Sequence, residues 1–347
     1  MTATALSREA VVERCERAGF ALAGVTPLLP SERGAHLDAW LRAGKHGSMG
    51  YLEEHAELRK DAGLVLEGAR SVIVVGDQYA ARGAEGDRLP AGLGRIAKYA
   101  RGRDYHKVIK KRLHALCDGL QREHPDASFR AFVDTAPVME REHALKAGLG
   151  WVGKHTLIIN NRLGSYVLLG GILTTLAFDP PARVQADRCG TCTRCIDACP
   201  TGAITPYEVD ARRCVSYLTI ERRGRIDPAF HGGIGDRIFG CDVCQDVCPH
   251  NDPARNRLPA GEAHPAYEER TRGFDLLEVL GWTEEDRREA FVGSSMKRAT
   301  LSMMRRNALI ALGNAGVHRD RIEACLDDGD ELVRTTARDV LDRLDRG

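Results

Sequence analysis

The run Cys189-Gly-Thr-Cys192-Thr-Arg-Cys195-Ile-Asp-Ala-Cys199-Pro200 decides how the middle of this chain is built. A second set, Cys214 and then Cys241-Asp-Val-Cys244-Gln-Asp-Val-Cys248-Pro249, completes it. Eight of the eleven cysteines therefore lie within sixty residues. Thiolates are soft anionic ligands suited to iron. A [4Fe–4S] cluster takes four of them, and a CxxCxxC loop wraps three corners. In two-cluster modules the cysteine before proline reaches across to the other cluster. That rule predicts one cluster on Cys189, Cys192, Cys195 and Cys248, and a second on Cys214, Cys241, Cys244 and Cys199. Zinc is the alternative, but its sites show two CxxC or CxxH pairs around a loop, which two triplet-like runs ending in Cys-Pro fit poorly. Disulfides fit less well still. Cys15, Cys117 and Cys325 sit in helical patterns and read as small buried apolar residues. The module moves electrons singly, so the rest of the chain must say where they go.

With 347 residues there is room for two or three domains. Charged residues make up 29% and apolar ones 43%, an ordinary soluble composition. No run approaches the roughly 18 apolar residues of a membrane span. The opening MTATALSREAVVERC lacks the apolar stretch of a signal peptide and carries no twin-arginine pair. Together with oxygen-sensitive clusters, this points to the cytoplasm. Net charge is +1, but basic residues form three islands. The first holds Arg95, Lys98, Arg101, Arg103, Lys107, Lys110, Lys111 and Arg112 against Asp104. The second holds Arg212, Arg213, Arg222, Arg223 and Arg225 against Glu221. The third holds Lys297, Arg298, Arg305, Arg306 and Arg319. They read either as a phosphate-binding surface or as solvated helix faces.

Three parts are expected: 1–178, 179–253 and 254–347. In the first, Ser31 is placed to cap a helix carrying Leu37, Trp40 and Leu41. Ser71-Val-Ile-Val-Val75 reads as a buried strand ending at Gly76. Asp104 is placed to cap a helix whose apolar face is Ile109, Leu113, Leu116, Cys117 and Leu120. Phe129 to Asp134 is a further strand, and Glu140 to Ala147 a short helix closed by Gly148. His155 to Asn160 and Tyr166 to Thr174 flank Asn161-Arg-Leu-Gly164 in the pattern of a hairpin. Strands interleaved with helices predict an α+β, α/β-like sheet domain. Asp179-Pro-Pro181 marks its end, and 251–265 reads as a linker. In the tail, Leu301 to Leu312 is helical, Gly313-Asn-Ala-Gly316 breaks it, and two further helices follow. This pattern is similar to a HEAT-like repeat, with a plain helical subdomain that has no binding role as the alternative.

Two clusters alone make an electron carrier, so a large sheet domain implies a substrate. Asp134 falls at the end of an apolar strand, where ligand crevices open in α/β sheets. A carboxyl partly desolvated there would have a raised pKa and could give up a proton. A turn or cap aspartate explains the same segment, since Thr135 and Pro137 follow. No G-x-x-x-x-G-K-[ST] loop and no G-x-G-x-x-G after a strand is present. Asp104-Tyr-His106 superficially matches the D-x-H-x-x-G signature of cobalamin-ligating proteins. Ile109 occupies the glycine position, so His106 reads as a surface residue near a helix start.

Joined to the cysteine runs are Tyr99-Ala-Arg-Gly-Arg-Asp-Tyr-His106, Val133-Asp-Thr-Ala-Pro137, Glu140-Arg-Glu142, Gly148-Leu-Gly-Trp-Val-Gly-Lys154 and Cys241-Asp-Val-Cys-Gln245. With the helical tail, they closely resemble the epoxyqueuosine reductases over nearly the whole chain. That resemblance implies a cytoplasmic monomer carrying cobalamin, as cob(II)alamin, and two [4Fe–4S] clusters. It implies the last step of queuosine synthesis, reduction of the epoxide to an alkene at the wobble position of tRNA. Asp134 matches the family's proton donor. Arg59, Ile158, Leu169 and Ile172 lie in segments resembling those that line the corrin, as do Gln245 and Asp246 beside the cluster loop. Ser216, Arg222 and Arg223 resemble tRNA contacts, and Lys297, Arg298, Arg305 and Arg306 stand where that family also meets tRNA. A low-potential electron donor, unidentified by the sequence, is required, and no membrane. A corrinoid dehalogenase would explain the cofactors but leave the basic islands idle. A ferredoxin-like electron-transfer subunit would need neither Asp134 nor the sheet domain.

Overall fold

The computed structural model describes residues 6–83, 89–181, 184–259 and 261–346. Residues 1–5 of the opening segment read for a leader lie outside them. The strands are β1 Leu22–Pro27, β2 Ser71–Gln78, β3 Leu93–Ile96, β4 Phe129–Phe132, β5 Trp151–Val152, β6 Ile158–Ile159, β7 Val167–Thr174, β8 Ile204–Thr205, β9 Glu208–Val209, β10 Arg237–Phe239 and β11 Gly273–Asp275.

The first part is built on one sheet in the order β1-β2-β7-β4, antiparallel throughout. Every residue of β2 is buried. The strand does not stop at Gly76 but runs through it, pairing Gly76 with both Leu22 and Leu169. A Cβ at Gly76 would meet a Val167 methyl at 2.9 Å, so glycine is what lets the strands close over that point. The helix Tyr105–Glu123 lays Ile109, Leu113, Cys117 and Leu120 on the sheet. As expected, Asp104 caps it, accepting from the His106 N–H at 3.1 Å. Ser31 does not cap the helix Gly34–Arg42; its hydroxyl binds Glu142 and accepts from the Arg33 N–H instead.

The predicted hairpin across residues 155–174 does not form. β6 pairs back with β5, while β7 enters the main sheet between β2 and β4. Only an Asn160–Gly164 bridge joins the two arms. The Asn160 side chain accepts from the Arg162 and Leu163 N–H groups and turns the chain there.

A second sheet, β10-β3-β11, takes one strand from each part of the sequence. β3 is its centre, parallel to β10 and antiparallel to β11. Beneath it a single core runs from Ile96 through Val215 and Phe239 to Met303 and Val340, so the helical tail packs on the cysteine module. Gly313 does not break the helix Leu301–Ala315. A Cβ there would meet a Val340 methyl at 2.3 Å, so this glycine is the contact point with the helix Glu331–Leu344. The helix ends at Gly316, with φ of 67°. Residues 251–259 and 261–265 are packed rather than a free spacer. Asn251 is buried and donates to Ser165 and Gln245, and Arg82 holds the carbonyls of Asn256 and Leu258. Among the described residues, no helix is long and apolar enough to cross a membrane.

Candidate functional site

Asp134 lies just past the end of β4 with φ of 49°, a left-handed conformation that aspartate tolerates better than most residues. Its backbone N–H donates to Glu140 Oε1 at 2.6 Å. Its Oδ2 accepts from the Tyr105 hydroxyl at 2.9 Å and lies 3.1 Å from His106 Nε2. His106 Nδ1 contacts Asp104 Oδ1 at 2.8 Å, and its ring stacks on Tyr105 at 4.0 Å. The strand end, the helix N-terminus and the cap residue thus clamp one carboxylate whose side chain remains 57% exposed.

The expectation of a raised Asp134 pKa is reversed. Desolvation pushes it up, but hydrogen bonds from His106 and Tyr105 and the charges of His106 and Arg298 hold the carboxyl below its ordinary value. His106 is not a plain surface residue. Desolvation disfavours its charge, yet contacts with Asp104 and Asp134 raise its pKa to about 9. Glu140 is pushed up to about 8 by desolvation and by the Asp134 charge. Near neutrality both His106 and Glu140 therefore hold a proton, His106 in contact with the Asp134 carboxylate. The sequence carried His106 within Asp104-Tyr-His106 at a helix start, but nothing in it linked that helix to Asp134 at the end of β4.

The surroundings come from all three parts of the chain. Arg298 pairs with Glu221 and lies over the Tyr51 ring at 5.0 Å, and its charge reaches Asp134. Arg59 is partly buried near Tyr51, Glu140 and Asp134, and its Nε has no hydrogen-bond partner among the described residues. Tyr99 packs edge-on to Tyr105 at 6.1 Å and against Phe239 at 6.3 Å, close to Cys241 in sequence.

Several residues expected to line a corrin do not offer their side chains. Ile158 and Ile172 are 3% and 0% exposed and pack in the cores of the sheet domain. Gln245 is buried, donating to the Ser165 carbonyl at 2.7 Å and accepting from Tyr79 at 3.1 Å. Leu169 is half-buried. Asp246 accepts from Tyr166 at 2.6 Å and from Lys98, leaving one oxygen.

The basic islands separate in the same way. Arg306 is 0% exposed and donates to the carbonyls of Leu218, Arg222 and Gly224, so it holds a loop rather than a phosphate. Arg305 is bound to Asp328 and the Leu280 carbonyl. In the first island Arg95, Lys98, Arg101 and Arg112 pair with Asp236, Asp246, Glu269 and Asp77. Arg222, Arg223 and Lys297 are exposed, and Ser216 is partly so.

The structure also gathers the cysteines. The charges felt by Cys248 come from Cys189, Cys195 and Cys192, and Cys214 feels Cys199. Cys244 feels Cys241 and Cys214. Cys248 thus lies nearest the first run and Cys199 beside Cys214, while Cys244 also feels Cys195; among the described residues no three His, Cys, Asp or Glu side chains stand close enough to hold a metal ion. Trp151 packs against Cys248 and Cys189, and its buried indole N–H lacks an oxygen or nitrogen partner. A sulfur acceptor suits it, so the residues present fit a cluster. Desolvation raises the thiol of Cys241 to about 11 and also raises that of Cys244, so both stay protonated until a metal displaces the proton.

Residues 188–251 match the 4Fe-4S double cluster binding domain, and residues 59–135 match the model described as epoxyqueuosine reductase QueG, DUF1730. Fold and site together define an iron–sulfur oxidoreductase. The chain is 40% identical over 304 residues to the epoxyqueuosine reductase of Pseudomonas aeruginosa, covering 86% of this chain and 82% of the relative. It is 40% identical over 339 residues to that of Xanthomonas campestris, covering 95% and 91%. A solved epoxyqueuosine reductase with an epoxyqueuosine-modified tRNA-Tyr stem loop superimposes with a TM-score of 0.83 at 28% identity, covering 97% of this chain and 89% of that one. Another, from Bacillus subtilis with its catalytic loop swung out of the active site, matches equally well. The chain belongs to the epoxyqueuosine reductase family.

Proposed function

We propose that the protein reduces epoxyqueuosine to queuosine at the wobble position of tRNA. The epoxide takes two electrons and two protons; both C–O bonds break, a C=C bond forms, and water leaves. The observation that carries this reading is the clamped Asp134–His106 pair, open to solvent and bordered by Arg298 of the basic tail.

Cobalamin, when bound, supplies the electron-rich metal chemistry at the epoxide carbon. The unpartnered Arg59 Nε fits a corrinoid's peripheral amides or phosphate, and Leu169 and the free oxygen of Asp246 would also hold it. Two [4Fe–4S] clusters, on the two groups of four cysteines, supply single electrons. The protein's own part is proton supply. As a C–O bond breaks, charge grows on oxygen, and a carboxyl at that point lowers the barrier. The proton held by His106 passes across the 3.1 Å contact to Asp134, which hands it to the leaving oxygen. The Asp104 carboxylate keeps the His106 ring oriented and favours its charged form.

Exposed Arg222, Arg223 and Lys297, with Arg298 and Ser216, supply a cationic rim for anticodon phosphates. Each neutralised phosphate releases counterions, so binding weakens steeply with salt. On this reading 1–178 holds the corrin, 179–253 the clusters, and 254–347 forms a HEAT-like region that receives tRNA. The enzyme then works as a cytoplasmic monomer fed by a low-potential donor. The test is anaerobic incubation with cobalamin, a reductant and an epoxyqueuosine-bearing stem-loop, read by mass. Loss of one oxygen is expected; an unchanged mass overturns the assignment.

A further inference from the structure

Asp134 is held at two points. The helix Tyr105–Glu123 holds its side chain, through the Tyr105 hydroxyl and His106. Glu140 holds its backbone, with Oε1 accepting from the Asp134 N–H at 2.6 Å. The turn between Asp134 and Glu140 is tied only locally along its own length. The N–H groups of Thr135, Val138 and Glu140 each reach two residues back, to the carbonyls of Val133, Ala136 and Val138. Such a turn does not by itself keep Asp134 at a φ of 49°. A residue with a Cβ adopts that conformation at a cost and keeps it only where its surroundings impose it.

Glu140 is a firm anchor. It opens the helix Glu140–Lys146, which buries Ala144 in the core of the sheet domain. Glu142 pins the same helix to the segment before Gly34–Arg42. It accepts from the Ser31 hydroxyl and from the Glu32 N–H at 2.9 Å, and pairs with Lys146 at 2.9 Å. The Glu140 carboxyl faces Asp134, Arg141 and His106, and its charge also reaches Arg59 and Tyr105. Desolvation and the Asp134 charge outweigh Arg141 and His106, so it keeps its proton near neutrality. A neutral carboxyl accepts the N–H without placing a second negative charge beside Asp134.

We propose that Glu140 is a positioning residue for the reduction. Its carboxyl oxygen holds the Asp134 backbone in the left-handed turn that keeps the Asp134 carboxylate against His106. Glu140 transfers no proton in this role. This rests on the reading of Asp134 as the proton donor.

Glu140→Gln keeps an oxygen at the same reach and cannot ionise, whereas Glu140→Ala removes the acceptor. Glu140→Asn, one methylene short, breaks the contact but keeps a polar side chain, and takes the place of the alanine variant if iron content or Tm falls. Single-turnover reduction of an epoxyqueuosine-bearing stem-loop is measured at pH 7 on cluster-loaded protein supplied with cobalamin. The alanine variant should be about three- to tenfold slower, the worth of one hydrogen bond, with stem-loop affinity within about twofold. The glutamine variant should recover most of that loss. A second readout needs no turnover. With histidines carrying carbon-13 at Cε1, His106 is assigned by its absence from His106→Gln, and its titration is followed by NMR. Its midpoint should lie lower in the alanine variant than in the glutamine variant, because Asp134 no longer faces the ring while Asp104 still does. Equal rates in the alanine and glutamine variants overturn the proposal, whether both are fast or both slow, as do equal His106 midpoints. A wild-type protein that leaves the stem-loop unreduced would instead defeat the function proposed above, and the His106 midpoints would still decide the role of Glu140.

Discussion

Replacing Arg306 with methionine tests whether this arginine is a structural tie or a phosphate contact. Its guanidinium donates to Arg222 O at 2.5 Å, Gly224 O at 2.7 Å and Leu218 O at 2.8 Å, and to Asn307 Oδ1 at 3.0 and 2.8 Å. Methionine fills much of the space but satisfies none of these acceptors. Each buried acceptor left unpaired costs about 1–3 kcal/mol. Burying the cation is itself unfavourable, since desolvation lowers its pKa to about 9, and its removal gives part of that back. The net loss is roughly 3–5 kcal/mol, the range for breaking a buried charged network. An unfolding entropy of about 2.1 cal/mol/K per residue, applied to 347 residues, makes each kcal/mol worth about 1.4 °C. The Tm of the cluster-loaded protein, followed by circular dichroism, should fall by about 4–7 °C. Stem-loop affinity should fall too, because the loop carrying Arg222 and Arg223 loses its anchor. Arg223→Ala should weaken stem-loop binding with no change in Tm. A shift under about 1 °C for Arg306→Met would refute the structural role.

Asp134→Asn should retain iron and stem-loop binding while single-turnover reduction slows by about 10²–10⁴-fold; undiminished turnover would remove it as proton donor. His106 acts in its protonated form, so the wild-type rate should be sustained below pH about 9 and fall as pH rises through that value. His106→Gln should be slower and lack that alkaline limb, and an unchanged pH profile would exclude His106 as the proton store. Cys195→Ala and Cys244→Ala should each lose iron from an expected eight atoms per chain, and a wild-type content of four would contradict two clusters. Lys297→Glu with Arg298→Glu should weaken stem-loop binding and flatten its salt dependence by about one to two in log–log slope, measured by titration at several salt concentrations. Equal binding would remove the tail from the RNA site.

Local patterns were readable where local forces decide. The helix Tyr105–Glu123, its Asp104 cap and the buried run of β2 follow from side-chain period and capping alone. The double-cluster module was readable because ligand spacing is itself the signal. What could not be read depends on contacts between distant segments. The pKa of Asp134 is set by desolvation against His106 and Tyr105, with Arg298 adding to them, and none of these residues is near it in sequence. Arg306 looks like its exposed neighbours in composition, and only the backbone carbonyls brought to it make it core. Gly313 read as a breaker because a sequence does not show the Val340 methyl pressed against it.

The sheet β10-β3-β11 also sets an order for assembly. Its central strand is synthesised early, one neighbour near the end of the cysteine module, and the other only after all eight cysteines of that module have been made. Until β11 and the helices behind it emerge, β3 has an open edge and the core under the inner cysteines is incomplete. Cluster insertion at Cys241 and Cys244 should therefore follow completion of the tail. A nascent chain stalled at residue 260 would hold all eight ligands and still leave the inner metal site unfinished.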